Sequence, residues 1–250
     1  MKAAPHHNME TKLMVNPPAG APRGACLTQP PPQGLLLDFG SVISVSVFER
    51  HRQTEEVLGL PAGTLTWMGP LAPETDALWQ SMQQDLITER EYWSARALEL
   101  GRMVGEDGWD VLTMLTRIRQ VDPNAVVRPR MKRLIEVASG RGIKVGILSN
   151  EMELFYGKAF LERMEVLQHM GAIVDATHNN VLKPDPRAYA MAVEAMRLKP
   201  EAILFVDDQF RNVAGAVKAG LQTQYFDLRD IDGNIASIAA RLQLDMTEPA

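Results

Sequence analysis

The sequence predicts an α/β fold: a doubly wound, mostly parallel sheet with a helical segment inserted after its first strand. Three observations predict it. Five short, continuously apolar runs lie between Leu35 and Phe226. Helix-period patterns separate the last four of them. Between Val47 and Pro129 no such run occurs, and helical patterns stand alone.

Each element has its own reason. Residues 1–33, with "VNPPAGAPRGACLTQPPPQ", are dense in proline, glycine and alanine, so they bury too little apolar surface to offset their ordering and read as a flexible tail. His6 and His7 there read as terminal polar residues rather than metal ligands. The runs Leu35–Asp38, Val145–Ser149, Ala172–Asp175, Ile203–Asp207 and Thr223–Phe226 fit strands buried on both faces. Inside the insertion, Thr88 with Glu91 three residues on has capping-box spacing and predicts a helix start. All four tryptophans (Trp67, Trp79, Trp93, Trp109) fall in the insertion and read mainly as its core. "VDPNAVVRP" reads as the return linker, and "RPRMKR", Arg128 to Arg133, as a solvated helix start. Met131, Leu134, Ile135 and Ala138 keep one helical face apolar until Gly140 and Gly142. Asp185 followed by Pro186 predicts an N-cap and first turn for a helix through Met196. Val213, Ala216 and Val217 repeat the spacing, with Gly220 as the stop. The expected division is a tail over 1–33, a sheet-bearing core over 34–46 and 130–250, and a helical cap over 47–129.

Composition narrows the partners. A net charge of -5 disfavours nucleic acid and anionic membranes. One cysteine, Cys26, allows no internal disulfide and fits a reducing compartment. No apolar run nears the roughly 18 residues of a membrane helix, and no secretory pattern opens the chain. A cytoplasmic protein is expected.

Open parallel sheets bind ligands beyond the carboxyl ends of their strands. The polar residues there are Asp38, then Ser149 and Asn150, then Asp207 and Asp208, with Lys183 contributed by the loop "NNVLKPDP". Carboxylates suit a hard divalent cation such as magnesium, while lysine and hydroxyl hold phosphate oxygens. His178, near Lys183, reads as a solvated loop residue.

The order Asp-x-x-x-Val, Ser-Asn, Lys-Pro-Asp-Pro and Asp-Asp-x-x-x-Asn resembles the haloacid dehalogenase-like (HAD) hydrolase superfamily. The spacing is similar to the branch that holds bacterial glucose-1-phosphate phosphatases and the N-terminal phosphatase domain of epoxide hydrolases. The resemblance implies a Rossmann-like core with a helical cap, and a mechanism through an aspartyl-phosphate. It implies Asp38 as nucleophile, and Mg2+ bound by Asp38, the Gly40 carbonyl and Asp208. It also implies Asp207 acting behind the metal, Ser149 on the phosphoryl group, and Lys183 neutralising charge. Asn150 and Asn212 would shape the substrate site or orient its groups.

Two departures stand out. Many family phosphatases carry an acid where Gly40 sits, so esters with poor leaving groups are expected to react slowly. Relatives often have glycine where Asn180 sits, though asparagine tolerates left-handed backbone. The expected function is a magnesium-dependent phosphatase of a small phosphorylated metabolite. The alternatives are a metal-independent 2-haloacid dehalogenase, whose odds Gly40 raises, and a catalytically silent binding protein on the same fold. The expected partner is a small phosphate ester or haloacid; whether the chain also forms a dimer is left open.

Overall fold

The computed structural model describes residues 30–119 and 122–247. Cys26, His6, His7 and most of the expected tail lie outside those residues. At its described end, Gln33 already bonds the first strands: its N–H donates to Ala202 O at 2.8 Å, and its carbonyl accepts from Lys144 N.

The chain opens with β1 (Gly34–Leu37) and passes into four helices, α1 (His51–Leu58), α2 (Ala77–Gln83), α3 (Glu89–Met103) and α4 (Val111–Ile118). It returns through α5 (Pro129–Gly140) to β2 (Lys144–Ser149), the short helices α6 (Met152–Tyr156) and α7 (Lys158–Leu161), and β3 (Ala172–Asp175). Then come α8 (Pro186–Met196), β4 (Ile203–Asp207), α9 (Phe210–Lys218), β5 (Gln222–Tyr225) and α10 (Ile231–Arg241). Every predicted run became a strand. All four pairings are parallel, in the order β3-β2-β1-β4-β5.

Alternation sorts the strand residues into two layers. Leu35 and Leu37 join Val145, Ile147, Leu204 and Val206 in one core cluster with α5 and α10. Leu36 joins Leu148, Phe205 and the apolar face of α8 in another. The leucines of β1 are fully buried, and each contributes about 1.5–3 kcal/mol by leaving water. Gly146 in β2 lets α8 come close: a Cβ there would lie 2.6 Å from Met196 Sδ.

The α1–α4 segment has a third cluster, in which Phe48, Trp67, Trp79, Tyr92, Trp93 and Trp109 pack together. Trp79 and Tyr92 meet edge to face, as do Tyr92 and Trp93. Asp76 caps α2 through Trp79 N and accepts from the Tyr92 hydroxyl and Arg96. The capping box formed as predicted, Thr88 and Glu91 each bonding the other's backbone N–H.

The reading of "RPRMKR" needs a correction at its first residue. Arg128 is buried, not solvated. Its guanidinium donates to the Ser41 carbonyl at 3.0 and 2.8 Å and to both Glu49 carboxylate oxygens. It thereby ties the loop after β1, where Ser41 takes φ 63°, to the start of the helical segment. Glu49 lies 79 residues from Arg128 in sequence, too far for local pattern to reveal the pair. Among the described residues, no helix is long and apolar enough to cross a membrane.

Candidate active site

β1 lies between β2 and β4, so the chain leaves it in opposite directions and the strand order reverses there. That leaves a crevice at the carboxyl ends of these three strands. Asp38 follows β1, with its N–H donating to Val206 O at 2.9 Å. Ser149 ends β2 and Asp207 ends β4. The strand ends bring together groups more than a hundred residues apart.

Lys183 joins them. Its ammonium, 3% exposed as a residue, donates to Asp38 Oδ1 at 2.8 Å and Asp207 Oδ2 at 2.7 Å. Its loop is fixed by Asn150, whose Oδ1 accepts from Lys183 N at 2.6 Å and whose Nδ2 reaches Lys183 O at 3.3 Å. Asp185 caps α8 just beyond, as predicted, and Asn180 takes the left-handed φ of 56°. His178 is exposed and pairs with Glu153 at 3.1 Å.

Asp207 is fully engaged. It accepts from Lys183, from Gln209 N–H at 2.8 Å and from Asn212 Nδ2 at 3.1 and 3.2 Å. Asn212 is completely buried inside α9, behind Asp207 and away from the cavity wall. Asp208 differs: among the described residues its carboxylate makes no hydrogen bond. One oxygen from each of Asp38, Asp207 and Asp208 lies within 4.8 Å of the others.

Three buried carboxylates and one ammonium leave this cluster short of positive charge. Burial pushes the Asp38 carboxyl up to about 7; Lys183 opposes the rise, and Asp207 and Glu89 add to it. Asp208 is pushed well above the carboxylate range, by burial first and then by Asp207, Asp38 and Glu89. Burial alone would discharge Lys183, but Asp207 and Asp38 outweigh it and hold the ammonium charged. A divalent cation would supply the missing charge, and hard carboxylate oxygens are the donors magnesium takes.

A cavity opens over the cluster. Asp38, Gly40, Ser149, Asn150 and Asp208 line one part of it, and Phe48, Trp79, Trp93, Met114 and Leu115 of the helical segment line another. Two of the four tryptophans thus face the site as well as packing their own core. The Ser149 hydroxyl makes no hydrogen bond among the described residues and is open to a ligand.

Two acids here were missed by the sequence reading. Glu89, at the start of α3, lines the cavity, and its Oε2 accepts from Asn150 Nδ2 at 2.9 Å. Glu151 lines it too; its Oε1 accepts from Arg90 Nε at 2.9 Å, while its buried Oε2 has no partner. Position was the only available signal: Glu89 follows a capping threonine and Glu151 follows Ser149–Asn150. Such acids ordinarily serve a helix end or the solvent.

Glu151 makes a prediction about pH. Burial pushes its carboxyl up from 4.5 to about 7, against the pull of Arg90. A carboxyl raised by folding contributes stability below its unfolded pKa and loses it as pH rises through the folded value. Between pH 4.5 and about 7, this group should cost the protein on the order of 1–2 kcal/mol, allowing for screening. Glu151→Gln should therefore narrow the difference in thermal midpoint between about pH 5 and pH 8. An unaltered difference would rule this account out.

Fold and candidate site together define an α/β protein whose acids, lysine and serine gather on the carboxyl edge of a doubly wound sheet. The chain belongs to the haloacid dehalogenase-like hydrolases, whose family model matches residues 50–220. Asp38 lies outside that stretch, and its place beside Lys183 comes from the fold. The chain is 31% identical over 99 residues to Phosphatase MT3486 of Mycobacterium tuberculosis, covering 40% of this chain and 46% of that protein. The chain spans less than half the length of the curated relatives it matches. A crystallised dehalogenase with intermediate complex shares the fold at TM-score 0.58 and 17% identity, over 86% of this chain and 99% of its own. The putative HAD-hydrolase YfnB from Bacillus subtilis, bound to magnesium, shares it at TM-score 0.57 and 18% identity, over 77% and 85%.

Proposed function

We propose that the protein is a magnesium-dependent phosphatase of a small phosphorylated metabolite, working through an aspartyl-phosphate on Asp38. The carrying observation is the charge deficit: of three clustered buried carboxylates, Asp38 and Asp207 share one lysine, and Asp208 has no protein partner among the described residues. Displacing a halide needs no such excess of acid. The phosphatase name of the Mycobacterium tuberculosis relative supports the same reading.

Magnesium held by Asp38, Asp208 and the Gly40 carbonyl would supply Lewis-acid neutralisation of the phosphoryl charge. The chain's own groups do the rest. Asp38 presents a carboxylate to phosphorus, oriented by Lys183. Ser149 donates its hydroxyl to a phosphoryl oxygen. Asn150 sets the lysine loop, while Asn212 and the Gln209 N–H hold Asp207 against Lys183. Positioning and charge stabilisation carry most of such a reaction. The aromatic wall from the helical segment sets substrate choice and excludes water.

Asp208→Ala should weaken Mg2+ affinity at least about a hundredfold, since even residues behind a metal's ligands cost 10–100-fold. Calorimetric titration measures it, and excess chelator should silence phosphate-ester hydrolysis. Turnover of 2-haloacids at full rate in excess chelator would replace this reading with the dehalogenase one.

A further inference from the structure

The first step of phosphate-ester hydrolysis expels an oxygen leaving group, and the second needs a water stripped of a proton. Both call for an acid-base group near Asp38. Gly40 has no side chain to offer. Its backbone, at φ -63° and ψ 132°, is open to any residue, and a Cβ there would meet only Asp38 Oδ2 at 3.8 Å. The space for an acid on that loop exists and is unused.

Few other groups of the site can fill the role. Asp207 is saturated by Lys183, Gln209 and Asn212. Asp208 is a proposed metal ligand. The Tyr156 hydroxyl is bonded to Ser44 Oγ at 3.2 Å, and burial pushes it above its usual range. Glu151 is held by Arg90, and its free oxygen is closed off from solvent.

Glu89 remains. It stands outside the cluster of Asp38, Asp207 and Asp208, yet its charge acts on both Asp38 and Asp208. Asn150 anchors one of its oxygens and at the same time fixes the backbone of Lys183. The other oxygen makes no hydrogen bond among the described residues, and Glu89 lines the cavity. The Thr88–Glu91 capping box holds the start of α3 without help from the Glu89 side chain.

We propose that Glu89, delivered from the helical segment, is the acid-base group of this site and does the work that position 40 cannot. The inference rests on the phosphatase reading. In the first step Asp38 attacks phosphorus and the bond from phosphorus to the ester oxygen breaks, its electron pair going to that oxygen. Glu89 passes a proton to it, releasing the alcohol and leaving Glu89 as carboxylate. In the second step Glu89 takes a proton from water as the water oxygen bonds to phosphorus. The bond from phosphorus to Asp38 oxygen breaks, its electrons return to the Asp38 carboxylate, and inorganic phosphate leaves. Glu89 is again protonated.

This reverses one expectation drawn from Gly40. The wild-type protein should handle poor leaving groups well, because an acid is present. The test is kcat/KM, with Mg2+, across aryl and alkyl phosphates of graded leaving-group pKa. It compares wild type, Glu89→Gln, Glu89→Asp, and Glu89→Gln combined with Gly40→Asp. Glu89→Gln should lose about 10²–10³-fold on alkyl phosphates and less than about threefold on p-nitrophenyl phosphate, where the leaving oxygen needs no proton. Glu89→Asp keeps the carboxyl and should recover part of the loss. Gly40→Asp should restore at least about tenfold on alkyl phosphates in the Glu89→Gln background, an effect no structural role of Glu89 explains. Equal losses across the series, no loss at all, or steepening by Glu151→Gln instead would each overturn the assignment and leave the phosphatase reading standing. If the wild type hydrolyses no phosphate ester, that reading falls and this inference falls with it.

Discussion

Asp38→Asn should abolish turnover while the protein stays folded. Asp38 lies at the end of a fully buried strand, one carboxylate oxygen held by Lys183 at 2.8 Å. The amide keeps nearly the same shape and can still accept from the lysine through its oxygen, but it cannot attack phosphorus. Losing a nucleophile should cost at least about a thousandfold in kcat. Stability should hold or rise in the absence of metal, because burial penalises this carboxylate and drives its pKa to about 7. Steady-state rates and thermal unfolding of the same preparation check both halves. Retention of more than about a tenth of the wild-type rate would remove Asp38 from the nucleophile's role.

Lys183→Met should have the largest effect on stability and should also silence the enzyme. The side chain keeps its volume, yet Asp38 and Asp207 lose the ammonium they share at 2.8 and 2.7 Å. Breaking a buried ion pair from one side costs about 3–5 kcal/mol, because the partner is left charged and unpaired. In a chain of this size that is a fall of roughly ten degrees in thermal midpoint. The sign of its pH dependence follows. Without the lysine, which opposes the rise, folding raises the Asp38 pKa further above the 3.8 of a free aspartate. Stability from such groups is present below the unfolded pKa and lost as pH rises. The deficit should therefore be smaller near pH 5 than near pH 8, as the Asp38 carboxyl takes up a proton in place of the lost cation. A deficit independent of pH would mean that the variant fails by packing, not by charge.

The site was legible only where a motif residue terminates a regular element. Asp38, Ser149 and Asp207 could be found because a buried strand has one carboxyl end, and the doubly wound order puts those ends side by side. Lys183 could be found because Pro184 and Asp185 mark the loop before α8. Asn212 was legible as a residue but not in its orientation: a helix start does not say that the amide faces Asp207. Arg128 was misread because its partners, Ser41 and Glu49, belong to another part of the chain. Glu89 and Glu151 were missed for the same reason. Their partners, Asn150 for Glu89 and Arg90 for Glu151, each lie 61 residues away.

The sequence by itself determined the sheet, the helix starts and the set of strand-end groups. Continuous apolar runs, capping residues and glycine stops act over a few residues and are written in order along the chain. Only the tertiary structure decided that Lys183 is shared by two carboxylates, that Asp208 is left without a protein partner among the described residues, and that two acids and two tryptophans from distant segments face the same cavity. Burial sets those properties, and burial belongs to the packed assembly: a carboxyl has no shifted pKa until the low-dielectric surroundings and the neighbouring charges are in place.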